Sequence, residues 1–404
     1  MGIFNRFFGN KSSEIVTSKD LANLFGSWYD SDSGVQITPS NAMHITTVYQ
    51  CVKVLAESIG MLPLSVFIED GNSKNKDTKH PLHKLFKVGP NDYMTSQEWK
   101  ELVVAHLCLR GNHYSYVNRV MGKVVEILPL SPDAVSPKLN DDYTVTYNVT
   151  FKNGVTKTAL AEEILHIKTV SVDGLKGLSP IGQNVNALGL AKATEKHGSS
   201  LFKNGAKPFG GLKTSQNLKD DQYNRLMKRL ENYQGADSGF KPLILEGGLE
   251  WVQVAITPED AQYLETRKFQ RSEICGMYRV PPHMVGDLER ATFSNIENQG
   301  LEFVTHTLMP YLTRIENRVL FSLFNESEQQ NRYVKFNVNA LLRGDMKARA
   351  EFYTKMVQNG AMSPNEIREK EDMNPREGGD VFLTPLNMAV NGKPVEENED
   401  ANKA

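Results

Sequence analysis

The stretch from Cys275 to Phe324 constrains the fold more than any other part of the chain. It opens as a helical run that Pro281 and Pro282 must end. Proline lacks the N–H that a helix interior needs, and it pushes the residue before it out of the α region. From Gly286 to Asn295 there is no apolar period. Asp287, Glu289, Arg290, Thr292, Ser294 and Asn295 make a polar loop there, with Leu288, Ala291 and Phe293 among them. Leu301, Val304, Leu308, Leu312, Ile315, Val319 and Leu323 then recur at helical spacing along one face. Pro310 falls within that run and removes the hydrogen bond to the His306 carbonyl, so a kink is expected there. Helix, double proline, polar loop and long kinked helix follow one another, and none of them carries a catalytic set.

The chain before this stretch reads as mixed helix and sheet. Ile45, Val48, Val52, Leu55 and Ile59 form one helical stripe that Gly60 ends, and Leu62 to Ile68 reads as a strand. Thr95 and Glu98 make a capping box for a second helix with Trp99, Leu102, Val103, His106 and Leu109 on one face. His113 to Val120 and Lys123 to Leu130 pair across Met121-Gly122, and Tyr143 to Phe151 alternates with period two. Asn153-Gly154 supplies a turn, and Ile164 to Lys168 closes the run. Ser179-Pro180 starts a helix reaching Asn204-Gly205, rich in small residues suited to close packing against other helices. Thr257-Pro258-Glu259-Asp260 opens a comparable one. Between them lie Gly210 to Lys213, a helix from Leu218 to Tyr233, and strands near Leu243 to Leu245 and Trp251 to Ala255. Past the kinked helix come a strand at Val334 to Val338, a helix from Asp345 to Gln358, and a capping box at Ser363 to Glu366.

Charge excludes some function classes. The net charge is −2, whereas a tight static nucleic-acid binder carries a basic excess that releases counterions from phosphate. Cys51, Cys108 and Cys275 are odd in number and have no C-x-x-C spacing, which argues against a disulfide framework and fits assembly in a cytoplasm. No apolar segment reaches the ~18 residues of a membrane span, and the N-terminal run is too short for a signal peptide. GAKPFGGLKTS at Gly205 to Ser215 fails as a phosphate loop, because Gly211 and Leu212 separate Gly210 from Lys213. His106 reads as a satisfied core residue; His80, His83 and His113 lack the partners of a zinc site. The adjacent acids Asp141-Asp142 and Asp220-Asp221 suit caps and solvated corners. No catalytic residue, metal or cofactor is expected.

In their order, these signals resemble the portal proteins of tailed bacteriophages. Val280, Pro281, Pro282, Val285 and Gly286 match that family's Val-Pro-Pro segment, and Ser294, Asn295 and Glu297 match its Ser-Asn-x-Glu step. Thr307, Leu308, Pro310 and Glu316 match the helix that follows. Leu341 to Asp345, Ser363 to Glu366 and the Gly-Gly-Asp380 turn extend the resemblance, which runs from about Ser40 to Pro385. Each motif alone is only a cap or a breaker; their order is the specific signal.

The resemblance implies an α+β portal fold assembled as a ring. Residues 1–39 become a flexible arm, 40–178 an α+β wing, and 179–205 and 257–281 a pair of stem helices. Residues 206–256 become a small α/β clip inserted between them, and 282–297 a loop facing the channel. The long kinked helix and a strand returning to the wing occupy 298–338, a helical crown 339–390, and a disordered acidic tail 391–404. It further implies a non-enzymatic dodecamer at the capsid vertex that passes double-stranded DNA in packaging and ejection. Its implied partners are further copies of itself, the large terminase subunit, a head–tail adaptor, and major capsid and scaffold proteins, with no membrane. Clip contacts are expected at Lys228, Arg229, Gly235, Asp237 and Gly239. The competing reading is a packaging nuclease or ATPase, or another head–tail connector component; the missing nucleotide loop and the motif order favour the portal.

Overall fold

A computed structural model describes residues 29–71, 73–151, 153–203, 210–213, 220–231, 250–253, 259–288, 299–338, 346–371, 373–383, 389–390 and 393–394. The chain divides into two units, residues 1–336 and 337–404. In the first, a short hairpin pairs Tyr29–Asp30 with Gln36–Ile37. Helix α1, Thr46–Gly60, buries Val48, Cys51, Val52, Leu55 and Ile59, as their spacing on one stripe requires. Strands β1, Leu64–Asp70, and β2, Ser73–Lys76, lead to α2, Pro81–Lys87. His80 caps α2 by accepting from the Leu82 amide, and its other ring nitrogen lies 3.3 Å from Glu328. His80 therefore does have a carboxylate partner, one that sequence proximity cannot show. Among the described residues no group of three possible ligands surrounds a metal position.

Helix α3, Ser96–Arg110, begins with the capping box: the Glu98 amide donates to Thr95 Oγ1, and Glu98 accepts from the Thr95 amide at 2.7 Å. It ends at Gly111, whose φ of +73° is a left-handed conformation suited to glycine. A Cβ there would also stand 2.0 Å from the Leu178 carbonyl oxygen. The chain continues as β3, Asn112–Val120, β4, Lys123–Leu130, β5, Val135–Leu139, β6, Val145–Thr150, β7, Thr156–Leu160, and β8, Ile164–Lys168. These make two antiparallel sheets of order β8-β3-β4 and β5-β6-β7. Tyr114, Val135, Tyr147, Val149, Ala159 and Ile164 share one apolar cluster, so the alternation of β6 does bury one face.

The small-residue helix is interrupted. A turn at Pro180–Gln183 precedes α4, Val185–Lys203, because Asn184 sits at φ −118°, ψ 29°. Its side-chain amide donates to the Pro180 carbonyl at 2.9 Å, a local bond that competes with the helical pattern. Gly182 and Gly189 do not receive another helix, as their small size suggested. A Cβ at either would strike Tyr29 or Ser31, at 2.5 Å and 2.3 Å, so they accept the N-terminal hairpin.

Strand β9, Gly210–Lys213, and α5, Asp220–Glu231, precede β10, Glu250–Gln253, which pairs antiparallel with β9. The ends of the expected helix, residues 218–219 and 232–233, lie outside the described residues. Helix α6, Glu259–Tyr278, packs against α4, where the buried Gln270 donates to Thr194 Oγ1 at 3.0 Å. A π-helical turn, Phe303–Leu308, then feeds α7, Met309–Leu323. Strand β11, Arg332–Phe336, pairs antiparallel with β1 in the order β11-β1-β2.

The irregularity expected at Pro310 lies upstream of it. Pro310 stands in the first turn of α7, where a missing N–H costs little. The preceding π turn, in which Met309 N–H donates to the Val304 carbonyl, takes the place of the regular ladder that the proline ring would obstruct. Leu301, assigned to the apolar stripe, is exposed, whereas Leu308, Leu312, Ile315 and Val319 are fully buried.

In the second unit, α8, Met346–Gln358, and α9, Pro364–Lys370, are joined through Gly360. Glu371 accepts from Tyr353 Oη at 2.7 Å and lies 3.5 Å from Arg349. The Ser363–Glu366 capping box forms, and the buried Asn365 binds Arg376 and Asp380 through its side chain. The Leu341 to Asp345 motif lies outside the described residues.

Candidate functional site

Two helix stops in succession build the point from which the polar loop departs. At the end of α6, Arg279 N–H donates to the Gly276 carbonyl and Val280 N–H to the Cys275 carbonyl, at 3.1 and 3.0 Å. This is a Schellman closure, with Arg279 at φ +54° in the place usually taken by glycine. Val280 and Cys275, at the two positions that such a closure brings together, are both buried. The left-handed region costs a β-carbon-bearing residue about 1–2 kcal/mol. A bond across the molecule offsets part of that: the buried Thr307 donates from Oγ1 to the Arg279 carbonyl at 2.7 Å. The π turn and the stop at the end of α6 are thereby tied together.

Pro281 and Pro282 follow at once. A single 3-10 turn, Pro282–Val285, closes in the same manner: Gly286 N–H donates to the His283 carbonyl and Asp287 N–H to the Pro282 carbonyl. Gly286 holds φ +81°, which explains a glycine at that spacing. Val285 is buried, while Asp287 lies 3.8 Å from Arg271 on α6, and Leu288 is exposed. His283 Nδ1 meets Gln299 Oε1 at 2.8 Å, so both ends of the loop are pinned at one place. Glu289, Arg290, Ala291, Thr292, Phe293, Ser294 and Asn295 lie outside the described residues.

The floor under these stops is buried thiol and phenol. Cys51 on α1, Cys108 on α3 and Cys275 on α6 are all buried and free. A hydrogen bond with Cys275 and then burial push the Cys51 thiol up, and burial pushes Cys108 up to about 12. Tyr278 Oη donates to the Cys108 carbonyl at 3.3 Å, and burial holds both Tyr278 and Tyr311 well above the ordinary phenol value. Cys51, Cys108, Tyr278 and Tyr311, held protonated this way, are packing groups rather than nucleophiles, while the bond with Cys51 lowers the Cys275 thiol. Glu316 has a comparable structural task. It accepts from the Phe336 amide at 2.8 Å and fixes β11, with its acidity weakened by burial.

Further down the sheet, His106 Nδ1 meets His113 Nδ1 at 3.0 Å, and His113 Nε2 meets Ser115 Oγ at 2.8 Å. His166 bonds Tyr147 Oη and Asn112 Oδ1. Burial lowers all three histidines: His106 to about 4, His166 to about 3, and His113 well below its ordinary value. All three are neutral; His113 and His166 are buried, whereas His106, expected as core from its stripe, is half-buried and has His113 as its partner.

Of the residues at which clip contacts are expected, Lys228 is exposed on α5, and Arg229 belongs to the same helix. Gly235, Asp237 and Gly239 lie outside the described residues. The sequence reading missed the left-handed Arg279, the Thr307 bond and the His283–Gln299 tie. Pro281-Pro282 signalled the first stop and a glycine soon after them the second, but nothing local signalled the left-handed Arg279 that closes the first.

Among the described residues, the polar contacts at this junction hold helix ends, and the polar loop departs between two helix stops tied to each other. A family model described as phage portal protein matches residues 46–372. The portal protein of Enterobacteria phage HK97 is 35% identical over 353 residues, covering 86% of this chain and 83% of that protein. The probable portal protein of Streptomyces phage phiC31 is 30% identical over 384 residues, covering 90% and 82%. The chain belongs to the phage portal protein family. The fold is shared with a protein in the neck of an empty gene transfer agent particle, with a TM-score of 0.60 at 24% identity, covering 84% of this chain and 94% of that one. It is also shared with the crystal structure of an HK97-family portal protein from Corynebacterium diphtheriae, with a TM-score of 0.56 at 17% identity, covering 79% and 99%.

Proposed function

We propose that this chain is one subunit of a closed ring at the capsid vertex, a non-enzymatic conduit for double-stranded DNA in packaging and ejection. The observation that carries it is the double stop after α6, which launches a polar loop from one pinned point beside packed stem helices. Repeated around a ring, each copy presents one such loop to the lumen, where weak contact lets DNA slide. A dozen helices ~10 Å wide set side by side give a circumference of ~120 Å and a lumen of ~28 Å, room for a duplex. Half as many do not. The related neck of a native gene transfer agent particle, with a TM-score of 0.56, is described at C12 symmetry, which supports the same count here.

In this reading residues 40–178 are the wing, α4 and α6 the stem, 206–256 the clip and 339–390 the crown. The ring assembles in the host cytoplasm with capsid and scaffold proteins. The clip, with Lys228 and Arg229, docks first the large terminase subunit and then the head–tail adaptor. Because Asp287 already lies near Arg271, Glu289 is the acid to perturb. Glu289→Lys is expected to leave rings intact and slow packaging, with relief at raised salt. The measurement is packaged DNA length per capsid with matched ring assembly; full-length packaging at normal rate in low salt removes this loop from the channel.

A further inference from the structure

Leu102, His106 and Arg110 follow one another at four-residue spacing along α3, on one face of the helix. They are only half-buried, unlike Val103, Leu107 and Cys108 beside them. The reason is a cavity of about 550 Å³ that they wall on one side, with Met94, Pro129, Leu130 and Pro132 as further apolar lining and the exposed Tyr93 beside it. A second cavity, of about 520 Å³, is also lined by Arg110 and Pro132, so the two adjoin there. Its lining includes Tyr29 and the exposed Val172. Both volumes fall in the range of about 300–1,000 Å³ that binding clefts occupy.

Tyr29 is held firmly in that second wall. Its ring lies against Gly182, where a Cβ would come within 2.5 Å of it. Three residues on, the Asp32 amide donates to Asn186 Oδ1 at 3.1 Å, and the Asn186 side chain donates back to Asp32 Oδ2 at 2.7 Å. The segment that precedes Tyr29 is thereby delivered to the wall of the second cavity. Its sequence places Leu21, Leu24, Phe25 and Trp28 at i, i+3, i+4 and i+7, the apolar stripe of an amphipathic helix. At 1.5 Å per residue such a stripe covers roughly 10 Å. Helix-in-groove recognition uses anchors at this spacing.

We propose that the segment Leu21 to Trp28 docks on its own subunit along these two cavities, with Leu24 and Phe25 in the apolar one between α3 and β4. The charged groups of that cavity already have partners: Arg110 lies 2.7 Å from Asp133, and Glu98 accepts from the Thr95 amide. What the lining offers is apolar surface, and the stripe supplies large apolar side chains to cover it. The anchor at Tyr29 gives the segment a high effective concentration at the groove, which a second copy or a separate partner does not have. The contact forms within one chain, so it does not depend on a ring.

The test is the rate at which a maleimide labels an introduced thiol in the full-length protein. Ser131 lines the first cavity, is exposed and makes no capping bond with its side chain, so Ser131→Cys reports whether that cavity is covered. The native Cys51, Cys108 and Cys275 are buried. Adding Leu24→Ser with Phe25→Ser removes two large apolar side chains from the contact and is expected to speed this labelling at least about tenfold. Val155→Cys, exposed and in neither cavity, is expected to label at one rate with either segment. In Ser27→Cys with Ser131→Cys, a bifunctional maleimide is expected to link the two thiols within one chain, giving a product of single-chain mass on a denaturing gel. Equal labelling of Ser131→Cys with either segment overturns the proposal. If the Val155→Cys rate rises as well, the serine variant has lost its fold and the crosslink decides: absence of the single-chain product overturns the proposal. Products linked between chains in its place assign the groove to the segment of a second copy, and overturn it too.

Discussion

Lowering the pH from 7 to 5 is expected to loosen the sheet β8-β3-β4 and the helix α3 through the buried His113 and His166 and the half-buried His106. His106, His113 and His166 are neutral in the fold, all with proton affinities depressed by burial. The sign follows directly: above the unfolded value near 6.5 both states are neutral and the fold carries no penalty. Below it the unfolded chain takes up protons that the fold refuses, until the folded values near 4 and 3 are reached for His106 and His166. At about 1.4 kcal/mol per pH unit, each histidine costs about 2 kcal/mol by pH 5, and the three together about 6 kcal/mol. Carboxylates held low by their partners, such as Asp77, do not contribute in this window. The assay is urea unfolding followed by tryptophan fluorescence, since Trp99 stands edge-on to His113 at 6.4 Å. The midpoint should fall by more than about 1 M between pH 7 and pH 5. His106→Gln should remove about one third of that dependence. Equal midpoints at the two pH values would refute the buried neutral cluster.

Gly111→Ala should destabilise severely, by more than about 2 kcal/mol, because it adds a Cβ 2.0 Å from the Leu178 oxygen at a left-handed position; soluble yield and melting temperature read this out. Glu316→Ala leaves the buried Phe336 amide without its acceptor and should cost about 1–3 kcal/mol, read as a shift in urea midpoint at constant slope. Reversing charge at Lys228 and Arg229 should leave rings intact and weaken terminase or adaptor binding in pull-down titrations, and normal binding of both would remove the clip assignment.

Local chemistry was legible in the sequence. The Thr95 and Ser363 capping boxes, the Pro281-Pro282 stop and the Met121-Gly122 hairpin each depend on a few adjacent residues. What depended on distant neighbours was not. Gly182 and Gly189 announced a close approach, but only the fold shows that Tyr29 and Ser31 make it. Asn184 breaks a helix that its neighbours' spacing would have continued. Arg279 gives no sign of left-handed backbone, because arginine is an ordinary helix former and the bond from Thr307 comes from across the loop. Pro310 signalled an irregular helix correctly, yet the π turn that accommodates it lies in residues with no local breaker. At the candidate site the stops were readable, and the ties that pin the loop were not.

Class-averaged electron micrographs of the purified protein, with native mass spectrometry on the same sample, test the central claim most directly. Closed rings with a central opening and a mass of twelve copies of the 45.3 kDa chain are expected. Monomer alone across the micromolar range, or rings too small for a duplex to pass, would contradict it.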